Sequence, residues 1–352
     1  MPRWMRESAA GFSLVEMLVA MVAGLVVTAS AVAIFRQGVD VAYVVTQRAE
    51  MQQNARVAIN MIARDLTTSA TGMPSGGVQL PSGTGSVPAK FGCDQSGCYV
   101  PSNTYADSRL YAVTPGDGRG PTINGQATDV AIVTYRDTAS NLDQLPLVSI
   151  STSGDQIVFD AATSPAIDNL ATGITAGDVL VLCNVNGCAA GVVTGLDGPS
   201  KAVSFASGIG DPLSFNQPLA AFGNIKSLAS PAGSGTYPQT RAFRIQVVTY
   251  YIDAGTSATA SRLMRQVSAQ RPVPVAENIE NLQFSYDIFN DVTGVETSSL
   301  ADAGGTPNQI RKVNLSVGAR APLQRLVGRG LDRVTLATAI SPRNVSFRDR
   351  YQ

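Results

Sequence analysis

One unbroken apolar run decides most of what this chain can become. Residues 11–35 read GFSLVEMLVAMVAGLVVTASAVAIF, and between Phe12 and Phe35 the only charged side chain is Glu16. As a helix this stretch would be about 36 Å long at 1.5 Å per residue, enough to cross a hydrocarbon core about 30 Å thick. One ionised side chain in such a span costs roughly 2.5–3.5 kcal/mol near the bilayer centre. Glu16 therefore calls for a positive partner. The leader MPRWMRESAAG, with Arg3, Arg6 and Glu7, precedes the run as in a secretory signal, but no small-residue cleavage pattern follows the run. The run passes instead into a helical pattern.

The junction at its start narrows the reading. Gly11-Phe12-Ser13-Leu14-Val15-Glu16, followed by the long apolar run, resembles the cleavage and methylation motif of type IV prepilins and pseudopilins, with Ser13 where Thr is commoner. The resemblance implies that a membrane aspartyl peptidase, the prepilin peptidase, cuts after Gly11 and methylates the new N-terminal residue, Phe12. It also gives Glu16 a role, neutralising the N-terminal amine of a neighbouring subunit and so registering one subunit against the next. On this reading residues 1–11 are a leader peptide and 12–35 the transmembrane half of a helix. Residues 36–68 are its amphipathic half and 69–352 a β-rich head, with a possible division near 206–240.

After Phe35 the pattern becomes one-sided. Val44, Arg48, Met51, Ala55, Ala58, Ile62 and Leu66 recur at steps of four and three, opposite a polar face carrying Gln47, Glu50, Gln52, Gln53, Asn54, Arg56 and Arg64. Gly24 and Gly38 weaken the helix locally, but no proline accompanies them. One helix from Phe12 to about Thr68 is expected. Residues 69–90 are rich in Gly, Ser and Pro and read as a loop. Short β-type runs follow at 129–135, 156–159, 178–183, 191–194 and 202–205. After a long Gly/Pro/Ser-rich surface stretch at 206–240, stronger runs come at 242–252, 262–266, 282–288, 312–319 and 333–339. Val275–Asn281 reads as a short helical turn. Phe243, Ile245 and Val247 alternate with Arg244 and Gln246, as in a half-buried antiparallel strand. A long helix followed by an antiparallel sheet is an α+β head. The family resemblance implies a pilin-like fold, with the helix against the sheet, and the order of elements after Val275 is similar to that of minor pilins of the PilW type.

Composition limits the chemistry. Formal net charge is zero and there is no histidine, which excludes a Ser-His-Asp triad, a Cys-His pair and His-based metal sites within this chain. The lysines, Lys90, Lys201, Lys226 and Lys312, sit in no recognisable motif. No catalytic residue, metal or cofactor is assigned, and an enzyme is not expected. The cysteines repeat one spacing, Cys93-Asp-Gln-Ser-Gly-Cys98 and Cys183-Asn-Val-Asn-Gly-Cys188. A Gly-bearing loop of this length can bring two Cα atoms to disulfide distance, and an oxidising periplasm would close it. Local bridges 93–98 and 183–188 are favoured over crossed pairing or a four-thiolate zinc site. Seven arginines (320, 325, 329, 333, 343, 348, 350) follow Ala319 against Asp332 and Asp349. With no aromatic interleaving or nucleic-acid module, a solvated face or subunit contact is favoured over DNA binding. Pro115-Gly116-Asp117-Gly118 lacks the alternating acidic ligands of a calcium loop and reads as a turn.

These readings converge on a structural assembly protein, a minor pilin of type IV pili used at low copy in a priming or tip complex. It would wait in the inner membrane, head in the periplasm, and then enter the fibre. Its expected partners are other minor pilins, the major pilin, the prepilin peptidase, the inner-membrane assembly platform and membrane lipid. The alternatives are a minor pseudopilin of type II secretion, similar to its J component, and a membrane-anchored adhesin or tethered enzyme.

Overall fold

In a computed structural model of the chain, helix α1 runs unbroken over Leu14–Thr68, 55 residues. The structure describes the chain apart from residues 1–10, 75, 95–96, 101–108, 163–165, 169–172, 256–260, 291, 304–306, 322–331 and 346–352, and apart from the side chains of residues 93 and 94. Ser13 opens the helix in an extended conformation. Its hydroxyl accepts from the Glu16 N–H, and the Glu16 carboxylate accepts from the Ser13 N–H, both at 3.2 Å. This reciprocal cap satisfies two of the donors that every helix start leaves orphaned. Within the apolar half, the hydroxyls of Thr28 and Ser30 donate back to the carbonyls of Gly24 and Val26. These polar groups thus need no water. Ser69 closes the helix through its N–H and hydroxyl, both donating to Leu66 O, and Ala70 turns the chain away at a positive φ.

The head is β-rich and mainly antiparallel. Short strands come first: β1 (Val78–Gln79), β2 (Phe91–Asp94), β3 (Gly97–Tyr99), β4 (Arg109–Leu110), β5 (Val113–Gly116), β6 (Thr122–Ile123) and β7 (Gln126–Ala127), leading into β8 (Val130–Arg136). Next come β9 (Leu147–Ile150), β10 (Gln156–Phe159), β11 (Val179–Asn184), β12 (Gly187–Val192), β13 (Gly195–Asp197) and β14 (Ala202–Ser204). The last group is β15 (Arg241–Asp253), β16 (Arg262–Val267), β17 (Val273–Glu277), β18 (Ile279–Asn290), β19 (Val295–Leu300), β20 (Ile310–Arg320) and β21 (Arg333–Ile340).

β15 is the spine. Its first residues pair with β11, its middle with β8 and its last six with β16, so one strand carries most of a nine-stranded sheet. A second sheet, β19-β18-β20-β21, packs with the first against the buried face of α1. A third, β13-β14-β10-β9, builds a lobe with its own core of Ile157, Phe159, Val203, Phe205, Ile225 and Leu228. β15 runs antiparallel to α1. Asp253 and its partner Arg262 lie near Asn54, through Glu277, while Tyr250 meets Asp65. The β11 end of β15 and the third sheet therefore extend past the end of the helix, away from its apolar half.

Three expectations are corrected. Val275–Asn281 is not a helical turn but the end of β17 and the start of β18, hinged at Asn278, which adopts φ 57°. Asn tolerates the left-handed region, and the β-branched Val273, Val275 and Ile279 around it favour strand. Residues 206–240 form no strand, but they are not a surface loop. Leu213 and Phe215 pack into one core and Ile225 and Leu228 into another, so spaced apolar residues pin an irregular chain. On the helix, Gln47 is buried and Arg48 points outward, its guanidinium 3.8 Å from Asp332, the reverse of the sequence reading. Both lie within one turn of Met51, so periodicity alone does not choose between them.

The first two sheets are joined at Asp129, just before β8. Its N–H donates to Leu282 O at 2.9 Å, and its carboxylate accepts from the N–H groups of Phe284 (2.7 Å) and Gly118 (2.8 Å). Burial pushes the Asp129 carboxyl up to about 6 from an ordinary 3.8, against the pull of those two N–H donors. The folded state therefore holds this proton more tightly than the unfolded chain. Its stabilising effect is complete below the unfolded value and is lost as pH rises through about 6. In urea titrations between pH 4 and 7, the stability of the wild type relative to Asp129→Asn should fall with rising pH. A difference independent of pH would show that Asp129 does not titrate in this window.

Candidate functional site: a bare apolar helix seated on the head

Among the described residues, the first half of α1 touches nothing in the head. Its most apolar window is long and apolar enough to cross a membrane, and none of it is buried within the protein. The chain thus carries one N-terminal helix fit to be a single-pass anchor. The Gly11–Phe12 junction is equally open. Phe12 is 85% exposed, and a side chain added at Gly11 would meet nothing within 4 Å. Glu16 is exposed on the first turn. One carboxylate oxygen is engaged by the Ser13 N–H of the same chain. A carboxylate has about four lone-pair sites, so this cap leaves acceptor capacity for a second donor.

The second half is seated by its apolar face. Met51, Ala55, Ala58, Ile62 and Leu66 are buried against Val133, Val248, Tyr250, Leu282, Val313, Leu315 and Val317 from both large sheets. Ala55 and Ala58 keep the helix backbone close to the strands. Between Ile62 and Leu66, on the same face, stands a carboxylate. Asp65 accepts from the hydroxyl of Tyr250 at 2.6 Å, from that of Tyr135 at 3.2 Å and from Arg265 Nε at 2.9 Å. Arg265 Nε also reaches the Tyr250 oxygen at 3.2 Å. One helix residue thereby binds β8, β15 and β16 at once. Burial, then the Asp65 charge, push the Tyr135 phenol up to about 12, and the same two causes raise Tyr250 further. Burial lowers Arg265, but the Asp65 hydrogen bond and charge outweigh it and raise it. Both tyrosines thus stay protonated as donors and Arg265 stays charged. The sequence reading did not single out Asp65. The signal was there, an acidic residue at the third position after Ile62 in an otherwise apolar face.

The other residues picked out from sequence fall as follows. Cys183 and Cys188 form a disulfide across the β11–β12 turn, with Cα atoms 4.2 Å apart. Cys93 and Cys98 face each other in register between β2 and β3, and the side chain of Cys93 lies outside the described residues. Arg320 is buried and Arg333 pairs with Glu280, so these two do not contribute to an open basic face. Arg325, Arg329, Arg348 and Arg350 lie outside the described residues. Pro115 and Gly116 end β5, and the Gly118 N–H is spent on Asp129.

No family model, curated protein or solved structure matches the chain. The site must be read from its own residues, and those describe a packing surface, with one carboxylate where an otherwise apolar helix begins.

Removing one partner of a buried ion pair typically costs about 3–5 kcal/mol. Asp65→Ala should lower stability by about this amount in chemical denaturation of the disulfide-intact protein, because Arg265 and two phenols lose their acceptor. Asp65→Asn, which keeps an acceptor oxygen, should lose less. An unchanged midpoint in the alanine variant would mean that apolar packing alone seats the helix.

Proposed function

We infer that this protein is a minor pilin of a type IV pilus, of the PilW type, held in the inner membrane by α1 and incorporated at low copy into the fibre. The observation that carries this reading is the sequence Gly11-Phe12 set immediately before a capped helix whose apolar half is bare and whose first turn holds one carboxylate. Cleavage after Gly11 would create a cationic amine on Phe12, four residues from Glu16. In hydrocarbon a lone carboxylate is costly and a paired one is tolerated. Glu16, already fixed by the Ser13 cap, offers its remaining acceptor sites to the amine of a neighbouring subunit. The bare face of α1 then supplies the packing between subunits, and the head, attached through Asp65, sets which partners it meets. Such a large head stacks poorly at every position of a slender filament, which favours low copy and a place near the tip. On this reading the protein is not an enzyme.

A type II secretion pseudopilin would share the junction and the helix. A deletion strain separates the two, since loss of pili with secretion intact supports the pilus and the reverse supports secretion.

The primary test is N-terminal peptide mapping with intact mass from native membranes, with and without the prepilin peptidase and with Gly11→Ala. The expected product begins at N-methylated Phe12 and disappears in both controls. A chain still carrying Met1 in wild-type cells would sink the reading.

A further inference from the structure

The third sheet ends at β9, and alongside this strand lies an open cleft of about 620 Å³ walled by residues 143–150 on one side and 235–241 on the other. That size is within the usual range of ligand sites. Most of its lining is polar, but Leu145, Leu147, Ile150 and Tyr237 lie half-buried over the lobe's core and set apolar patches into it. Of the residues lining it, two are charged, Asp143 and Arg241. Asp143 is neutralised by Arg136 at 2.5 Å, and that guanidinium is itself held over the ring of Phe243. Arg241 is exposed and makes no ion pair or side-chain hydrogen bond among the described residues. The cleft therefore presents one uncompensated positive charge beside apolar patches in a largely polar lining.

Both walls are fixed before anything binds. The Tyr237 hydroxyl donates to Ser151 O at 3.0 Å, closing one end. Arg241 pairs with Cys183 in the β11–β15 ladder, beside the disulfide. Asn184, next in the same hairpin, donates to Thr240 Oγ1 and to Leu228 O. The edge of β9 adds hydrogen-bonding capacity. Ser151 N–H donates to Gln156 O, so by antiparallel alternation Ile150, paired with Ile157, turns its N–H and C=O outward.

We propose that this cleft binds an extended peptide segment of a partner protein that alternates apolar and acidic residues. The apolar side chains would sit on the patches at Leu145, Leu147 and Tyr237, a carboxylate would pair with Arg241, and the peptide backbone would hydrogen-bond to the polar lining and the free edge at Ile150. The inference does not depend on how Gly11 is processed, and the cleft lies in the lobe farthest from the apolar half of α1.

The test uses the full-length protein in lipid nanodiscs, disulfides intact, and the fluorescence anisotropy of a labelled hexapeptide alternating valine and aspartate. Binding should weaken roughly tenfold for Arg241→Gln and for the valine–asparagine peptide, the usual effect of losing one charge-assisted hydrogen bond. Leu147→Asp should also weaken it, with the denaturation midpoint showing that the variant is folded. Absence of binding, or equal binding by Arg241→Gln or by the asparagine peptide, would overturn the proposal. Displacement of the peptide by octanoate at equal concentration would also overturn it, assigning the cleft to small amphipathic acids.

Discussion

Water cannot cover the first half of α1 favourably, and the head does not cover it. An apolar surface of that extent is tolerated only if another medium takes it up. The sequence divides the helix accordingly, apolar all round before Arg36 and one-sided after it, with no break in the backbone between. The head can therefore hold the helix only from about Gln47 to Leu66, a seat of roughly 30 Å at 1.5 Å per residue. Apolar packing supplies most of the attraction over that length but does little to fix rotation or sliding along the axis. Asp65 does fix them, because its three donors come from three different strands and meet at a single height on the helix.

Much of this was legible in the sequence. The apolar run, the face traced by Met51, Ala55, Ala58, Ile62 and Leu66, and the alternating strand around Phe243–Val247 all follow from residue spacing, and the structure shows each of them. The Cys183–Cys188 bridge followed from two thiols flanking a glycine-bearing turn. Where the reading failed, long-range contacts overrode local signals. Val275–Asn281 has the polar composition of a helical turn, yet Ala276 and Ile279 are claimed by the main core and Asn278 supplies the hinge. Residues 206–240 look like solvent loop by composition, and only tertiary packing shows what Leu213, Phe215, Ile225 and Leu228 cover. Asp65 could be noticed but not explained, since its partners are 70, 185 and 200 residues away in sequence.

The seam at Asp129 shows the same economy. A single residue preceding β8 donates to β18 through its backbone and accepts from it through its side chain, so two sheets that share the helix also share a direct bond. Among the described residues, the lobe built on β9, β10, β13 and β14 has no such hydrogen bond to α1. It communicates with the helix chiefly through β15.

That dependence has a mechanical side. From Arg241, beside the cleft, to Tyr250, at Asp65, β15 spans roughly 30 Å of extended chain at about 3.4 Å per residue. Tension applied at the lobe and resisted at the helix runs along this strand, with β11, β8 and β16 bonded to its flanks. Loaded in that direction, the ladders are sheared, and many hydrogen bonds share the force instead of opening one after another. The disulfide sits at the loaded end and Asp65 at the anchored end, so the head has the layout of a tether: a crosslinked grip, a laterally supported cable and a polar pin where the cable meets the helix.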